Sequence, residues 1–93
     1  MKINIFGSTG VIGRTTLKLI DNNFKDLKVN LICAKSNYRL LKKQIYKYRP
    51  KYAFLYDHKK ITNFDKKIGN TKILKFKELL DYLKSSKSNI SVL

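Results

Sequence analysis

The chain has 93 residues, which suits one small domain or one part of a larger domain. Hydrophobic residues make up 43% of it, enough for a buried core, so the composition excludes a disordered chain. No apolar run reaches the length of a membrane span, and the N-terminus lacks a signal-peptide pattern. The single Cys33 excludes an internal disulfide. We therefore expect a protein of the reducing cytoplasm, with no membrane as a partner.

The formal net charge is +15, and a charge of this size favours nucleic acid or another polyanion as a partner. The lysines are nevertheless spread along the whole chain among many Ile, Asn, Tyr and Phe residues, a usage typical of AT-rich coding sequence. Between Asp26 and Asp57 there are basic residues and no acidic ones. We expect most of these cations on the solvated face of one helix. Attraction to a phosphorylated small molecule and a nucleic-acid footprint are the two alternatives.

Predicted strands and helices alternate along the chain, a pattern typical of a parallel sheet with crossover helices. Lys2 to Phe6 is the first predicted strand, and Val29 to Ala34 is the second. A helix is predicted between them, from Ile12 to about Asn22. Its residues expected to face the core are Ile12, Thr16, Leu19 and Ile20.

A second predicted helix follows, with Ser36 or Asn37 as its N-cap. It ends at Arg49-Pro50, because proline lacks an N–H group and restricts the residue before it. Tyr52 to Tyr56 is the third predicted strand. The apolar positions of the second helix are Leu41, Ile45 and Tyr48.

The last third of the chain has a weaker pattern. Lys59 to about Ile68 is predicted as a short helix or turn, and Thr71 to Leu74 as a short strand. After a third helix, Lys84 to Ser88 is a polar connector and Asn89 to Leu93 opens another strand. These elements predict a Rossmann-like α/β fold, truncated after the start of a further strand. The apolar face of the third helix consists of Phe76, Leu79, Leu80 and Leu83.

A glycine-punctuated turn follows the first predicted strand, with the sequence Gly7-Ser8-Thr9-Gly10-Val11-Ile12-Gly13. Glycines at this spacing let the backbone leave the strand sharply, approach a pyrophosphate closely and pack the next helix against the sheet. That helix then presents unpaired N–H groups and the positive end of its dipole to the ligand. The alternative is an ordinary loop, but the position between a strand and a helix favours a phosphate-binding turn.

The end of the second predicted strand indicates which dinucleotide the turn binds. An Asp or Glu at this place accepts hydrogen bonds from the ribose 2′-hydroxyl of NAD, whereas small polar and basic residues admit the 2′-phosphate of NADP. Here the strand ends in Ala34-Lys35-Ser36-Asn37, which contains no acid. These residues favour NADP(H). The alternative, that Ser36 and Asn37 only cap the second helix, is compatible with this role.

No residue pattern predicts a catalytic centre or a metal site. Cys33 lies in a buried predicted strand, where a small hydrophobic role is expected rather than a nucleophile. His58 has neither a second metal ligand nor a nucleophile near it in sequence, and we expect it on a surface loop. Glu78 is the chain's one glutamate, and no carboxylates cluster as a divalent cation requires.

Four blocks of the sequence resemble the opening of the 1-deoxy-D-xylulose 5-phosphate reductoisomerase family. In order, the family has a GSTGSIG turn, an Ala-x-x-Asn step after the second strand, a Leu-Leu-x-x-Gln helix and an Arg/Lys-Pro-Lys-Tyr strand entry. The resemblance covers essentially the whole chain and is faint from His58 to Ser88. The matching blocks are Gly7 to Gly13, Leu31 to Asn37, Leu40 to Gln44 and Arg49 to Tyr52.

The resemblance implies an NADPH-dependent enzyme that uses Mg²⁺ or Mn²⁺ to convert 1-deoxy-D-xylulose 5-phosphate to 2-C-methyl-D-erythritol 4-phosphate in non-mevalonate isoprenoid biosynthesis. It implies a location in the bacterial cytoplasm or a plastid-type organelle. The family is homodimeric, through contacts that would lie largely outside these 93 residues. The turn would contact the phosphates and the nicotinamide side of NADPH, and the end of the second strand the 2′-phosphate. The implied cofactor-binding residues are Gly7, Ser8, Thr9, Gly10, Val11, Ile12, Gly13, Ala34, Lys35, Ser36 and Asn37.

The chain departs from the family pattern at two places. Val11 replaces the usual serine, which removes a hydroxyl but keeps the backbone N–H, so we expect weaker cofactor binding. Lys35-Ser36 replaces a common Gly-Lys pair and moves the positive charge by one position. The family's metal-binding acids and substrate-phosphate residues lie beyond residue 93. We therefore expect residues 1–93 to be the N-terminal portion of the NADP-binding domain, without the catalytic and C-terminal domains and inactive alone.

Two further functions stay open from the residues themselves. The first is another NADP-binding Rossmann-type reductase, or a nucleotide sensor, with the same turn and strand end. The second is a basic nucleic-acid-binding module, which the net charge of +15 favours.

Overall fold

The helices and strands follow the predicted alternation. The computed structural model describes residues 2–23, 27–57, 67–85 and 90–92. The strands are β1 (Lys2–Phe6), β2 (Lys28–Ala34), β3 (Tyr52–Leu55), β4 (Lys67–Ile68), β5 (Thr71–Ile73) and β6 (Ile90–Val92), and the helices are α1 (Val11–Asn23), α2 (Tyr38–Tyr48) and α3 (Phe76–Ser85).

The six strands form one sheet in the order β4-β5-β3-β2-β1-β6. β1 pairs in parallel with both β2 and β6, and β3 pairs in parallel with both β2 and β5. The chain steps outward from β1 through β2 to β3 and later returns to the other side of β1. The strand order therefore reverses at β1, which is the switch point of a doubly wound sheet. The predicted Rossmann-like α/β fold is confirmed.

The region after β3 differs from the sequence-based prediction. Lys67–Ile68 is not the end of a helix or turn but the strand β4, which pairs antiparallel with β5. Gly69 has a φ of +58° in the tight connection between these strands, a conformation that favours glycine. The polar connector predicted from Lys84 also begins too early, because α3 continues to Ser85. His58 and the start of the predicted 59–68 element lie outside the described residues.

Helix α1 packs on the sheet through a different face from the predicted one. Ile12 is 71% exposed and Leu19 is 51% exposed, although both were expected to face the core. Leu17 is fully buried, and Ile20 is buried as predicted. Gly13 is also buried and lies against the glycine turn. This close contact sets the rotation of the helix about its axis, so residues 13, 17 and 20 face the sheet.

The two faces of the sheet carry separate apolar cores. Helices α1 and α2 cover one face, where Leu17, Leu41 and Ile45 pack on β1, β2 and β3. On the other face, Leu79 of α3 packs with Leu31, Cys33, Phe54 and Leu74. Leu41 and Ile45 of α2 are buried as predicted and Tyr48 is half-buried, whereas Phe76 and Leu80 of α3 are exposed. None of the described helices is long and apolar enough to cross a membrane.

A buried polar network that no sequence pattern predicts lies under α3. The register between β1 and β2 shifts from Ile3–Val29 to Asn4–Leu31, so Asn30 is an extra residue in its strand. The Asn30 side-chain amide donates to the Tyr82 hydroxyl, which donates to Asn4 Oδ1 at 2.7 Å. Both asparagines are buried, and these hydrogen bonds compensate their removal from water. The network joins α3 to β1, the strand that precedes the glycine turn.

Candidate nucleotide-binding site

The glycine turn leaves β1 in a conformation that its first glycine permits. Gly7 has a φ of +75°, where a side chain would be strained. The N–H groups of Gly7 and Ser8 both donate to the carbonyl of Cys33, at 2.8 and 2.9 Å. The N–H of Gly10 donates back to the Gly7 carbonyl at 3.0 Å. The turn is thus closed on itself and held to the end of β2.

Gly13 brings α1 into direct contact with this turn. A Cβ atom at Gly13 would lie 2.2 Å from the Gly7 oxygen and 2.8 Å from Ser8 Cα. Both are backbone atoms and cannot move aside without opening the turn. By contrast, a Cβ atom at Gly10 would lie 3.4 Å from the Gly7 oxygen, which is tolerable. The sequence therefore needs glycine at position 13 for packing, as the spacing predicts.

The N-terminus of α1 is open to a ligand. The Arg14 N–H donates to the Gly10 carbonyl at 2.9 Å and closes the first helical turn. The N–H groups of residues 11–13 therefore have no acceptor within the helix, as is usual at a helix N-terminus. The side chains of Val11 and Ile12 are each 71% exposed beside these amides. The first turn contains no acidic residue that would repel an anion. The positive end of the helix dipole is therefore available for a phosphate.

Gln44 of α2 holds the glycine turn from the side that faces the protein, a contact that the sequence does not predict. Gln44 of α2 is 5% exposed, and its Nε2 donates to the Ser8 carbonyl at 2.7 Å. Ser8 is fully buried, so its side chain faces the protein rather than a ligand. Ser8 Oγ and Gln44 Oε1 are buried without a hydrogen-bond partner among the described residues. Gln44 lies in one of the four family-like blocks, Leu40 to Gln44, but the block does not predict a contact with Ser8.

The end of β2 forms the second part of the candidate site. Ala34 is buried, and its carbonyl accepts the N–H of Tyr56 at 2.9 Å, so its contribution is to the backbone path. Lys35 is exposed, and Ser36 is half-buried. Asn37 is the N-cap of α2, and its Oδ1 accepts the Leu40 N–H at 3.1 Å. Of the two predicted caps, Asn37 is therefore the residue that fulfils the role.

The turn and the strand end lie at the same edge of the sheet. β1 and β2 are parallel, and Phe6 is in register with Cys33, so both chains leave their strands side by side. The carboxyl edge of a doubly wound sheet, at the point where strand order reverses, is the usual ligand-binding place. The predicted cofactor-binding residues of the two segments are thus brought to one edge. A cleft of about 570 Å³ lies instead at the opposite edge, lined in part by Lys28 and Arg49.

Near the turn, the described residues include neither an activated nucleophile nor a cluster of metal ligands. The Cys33 thiol is buried, and burial raises its pKa to about 12, so it is protonated at neutral pH and is not a nucleophile. Within the described residues, no three His, Cys, Asp or Glu side chains come together as a metal site requires. The described residues therefore do not fit a divalent metal centre, whereas the turn fits a phosphate group.

A mostly parallel sheet with reversed strand order, a glycine turn and an open helix N-terminus together define a Rossmann-type nucleotide-binding protein. Comparison with protein families makes this class specific. The sequence profile of 1-deoxy-D-xylulose 5-phosphate reductoisomerase matches residues 3–92. The chain belongs to the 1-deoxy-D-xylulose 5-phosphate reductoisomerase family, as the four sequence blocks predict.

Curated relatives of the same name support this assignment. The enzyme of Lachnoclostridium phytofermentans is 41% identical over 71 residues, which cover 76% of this chain and 18% of that enzyme. The enzyme of Thermodesulfovibrio yellowstonii is 38% identical over 77 residues, covering 83% of this chain and 20% of that enzyme. The chain thus spans about a fifth of the length of the curated relatives it matches.

Solved reductoisomerase structures share the fold. The Zymomonas mobilis enzyme in complex with NADPH has a TM-score of 0.68 and 23% identity over 77% of this chain and 20% of that chain. A reductoisomerase described with fosmidomycin and magnesium has a TM-score of 0.72 and 23% identity over 96% of this chain and 23% of that chain. These similarities support the α/β architecture described above.

Proposed function

We propose that this chain binds NADPH and is the N-terminal portion, residues 1–93, of the NADP-binding domain of a 1-deoxy-D-xylulose 5-phosphate reductoisomerase. The observation that carries the proposal is the contact between Gly13 and the Gly7 carbonyl, which leaves no room for a Cβ atom. This contact joins a sharply turned backbone to an open helix N-terminus, and that combination binds the diphosphate of a dinucleotide. A relative of the same fold was solved in complex with NADPH.

The two segments of the site would bind different parts of the cofactor. The backbone N–H groups of Thr9 and of the first turn of α1 would donate to the diphosphate, and the exposed Ile12 would lie on the nicotinamide side. The Lys35 ammonium would pair with the 2′-phosphate, with Ser36 and Asn37 beside it. Asn37 already accepts a hydrogen bond as the cap of α2, so its amide nitrogen is the group left for a phosphate oxygen. The residues of the proposed site are Gly7, Ser8, Thr9, Gly10, Val11, Ile12, Gly13, Ala34, Lys35, Ser36 and Asn37. Of these, Gly7, Ser8, Gly10, Gly13 and Ala34 would shape the backbone of the site, and the others would contact the cofactor.

The rest of the reaction would require parts of the protein that these residues do not provide. The complete oxidoreductase would convert 1-deoxy-D-xylulose 5-phosphate to 2-C-methyl-D-erythritol 4-phosphate in non-mevalonate isoprenoid biosynthesis, as a homodimer in the bacterial cytoplasm or a plastid-type organelle. Its Mg²⁺ or Mn²⁺ would be held elsewhere in the complete enzyme, because no acidic cluster occurs among the residues that the structure describes. The residues at hand would bind and orient the reductant.

Titration of the chain with NADPH and NADH tests the proposal. We expect weak NADPH binding, and NADH binding about tenfold weaker because it lacks the 2′-phosphate that Lys35 would pair with. Lys35→Ala should reduce this preference, whereas Lys28→Ala, at the other end of β2, should not. If duplex or single-stranded DNA binds tightly with a steep salt dependence while NADPH does not bind, the chain is a nucleic-acid-binding module and the proposal is wrong.

A further inference from the structure

Gln44 is an unusual residue for its place in α2. It lies on the face of the helix that packs on the sheet, between Leu41 and Ile45, which are almost fully buried. Burial of a side-chain amide is unfavourable unless its polar atoms find partners. Gln44 Nε2 has a partner in the Ser8 carbonyl, but Gln44 Oε1 has none among the described residues. The hydrogen bond to the glycine turn is therefore the interaction that offsets the burial of the Gln44 amide.

That hydrogen bond sets the direction of one peptide group. The Ser8 carbonyl and the Thr9 N–H belong to the same planar trans peptide unit, so they point in opposite directions. Gln44 draws the Ser8 carbonyl inward, towards α2, at 2.7 Å. The Thr9 N–H must therefore point away from α2, towards the open side of the turn.

The other amides of the turn are already engaged. The N–H groups of Gly7 and Ser8 donate to Cys33, and the N–H of Gly10 donates to the Gly7 carbonyl. Within the described part of the chain, the Thr9 N–H has no acceptor. The Thr9 N–H is therefore available to a ligand, together with the N–H groups at the N-terminus of α1.

We propose that Gln44 is a positioning residue: by holding the Ser8 carbonyl, it aims the Thr9 N–H at the diphosphate of the bound dinucleotide. This inference rests on the proposed NADPH binding. The role is separate from that of Lys35, because the diphosphate is common to NADPH and NADH while the 2′-phosphate is not. Gln44 therefore contributes to affinity for both nucleotides and not to the choice between them.

Nucleotide titrations of the full chain with Gln44→Met, at a temperature where the variant is folded, test this role. Methionine keeps the length and volume of the side chain but cannot donate to the Ser8 carbonyl. We expect the dissociation constants for NADPH and NADH to rise together by about three- to tenfold, the size of one hydrogen bond, with their ratio unchanged. Gln44→Glu should weaken binding further, because a carboxylate cannot donate and repels the diphosphate.

The matched control is Ile45→Val, the neighbouring buried position, which disturbs the packing of α2 without contact to the turn. Its nucleotide affinity should equal that of the unaltered chain. Equal losses in Gln44→Met and Ile45→Val, or no loss in Gln44→Met, would overturn the inference.

A measurement without nucleotide separates this inference from the proposed function. In the free chain, Gln44→Met should shift the amide NMR signal of Thr9, whereas Ile45→Val should leave it in place. If the unaltered chain binds neither nucleotide, the proposed function fails. An unchanged Thr9 signal in Gln44→Met would instead show that Gln44 does not orient this peptide.

Discussion

The two ends of the candidate site are built in different ways. The glycine turn is made of backbone groups, and its conformation depends on buried contacts with Cys33, Gln44 and Gly13. The strand end at 35–37 is made of side chains, and both Lys35 and Asn37 are exposed. Substitution at the turn should therefore disturb the fold together with binding. Substitution at the strand end should change affinity or selectivity in a protein that still folds.

Gly13→Ala should have the largest effect, because its Cβ would overlap the Gly7 carbonyl at 2.2 Å. We expect a loss of more than about 4 kcal/mol in the free energy of unfolding, the exceptional range for a single substitution. Urea denaturation followed by circular dichroism measures it. Gly10→Ala is the matched control, since its Cβ fits at 3.4 Å, and it should retain the fold. Equal stabilities of the two variants would show that the close contact between α1 and the turn does not stabilise the fold.

Leu17→Ala and Ile12→Ala distinguish the observed face of α1 from the predicted one. Leu17 is fully buried, so its truncation should cost about 3 kcal/mol, the usual cost of leaving a cavity in a core. Ile12 is 71% exposed, and its truncation should change stability by less than about 0.5 kcal/mol. Thermal unfolding of both variants compares them. A larger loss of stability in Ile12→Ala than in Leu17→Ala would show that α1 packs through the face predicted from the sequence.

Asn37→Ala tests the other end of the site through its role as a cap. Loss of the hydrogen bond from the Leu40 N–H should destabilise α2 by about 1 kcal/mol. Asn37→Asp keeps the cap oxygen and should restore stability, but its charge should weaken NADPH binding. Chemical denaturation and NADPH titration of both variants separate the two effects. If Asn37→Asp binds NADPH as well as the unaltered chain, the 2′-phosphate does not lie near this residue.

The smallest expected effect concerns an ion pair outside both segments of the candidate site. Lys72 Nζ lies 2.8 Å from Glu78 Oε2. The Lys72 hydrogen bond and the Lys75 N–H hold the pKa of Glu78 below its ordinary value of 4.5. The stability that this carboxylate contributes is therefore present above pH 4.5 and is lost as the pH falls through the lowered pKa. The pKa of Lys72 is raised by the same pair, so its contribution is lost only as the pH rises above 10.5.

Glu78→Gln measures this contribution. The variant should lose less thermal stability than the unaltered chain when the pH falls below 4.5, and the difference should be small because both side chains are exposed to solvent. Asp81→Asn, on the exposed surface of the same helix, is the control. Identical pH profiles of the unaltered chain and Glu78→Gln would show that the ion pair contributes nothing.

Local sequence patterns predicted most of the elements because each depends on near neighbours. The end of α2 at Arg49-Pro50, its cap at Asn37 and the glycine turn all follow from short-range backbone chemistry. The face of α1 was predicted wrongly because helical spacing grouped Ile12 and Leu19 with Ile20, whereas the contact of Gly13 with the Gly7 carbonyl turns a different face, with Leu17, towards the sheet. The strand β4 was missed because two residues carry too little periodicity to indicate a strand.

The sequence by itself determined the α/β alternation, the position of the glycine turn, the absence of an acid after β2 and the family. These are properties of residue type and spacing along the chain. Only the tertiary structure decided which side of β1 receives β6, that Asn4, Asn30 and Tyr82 join under α3, and that Gln44 holds Ser8 from 36 residues away. Such contacts depend on how helices and strands are packed together, and no local pattern encodes which distant polar groups will meet there.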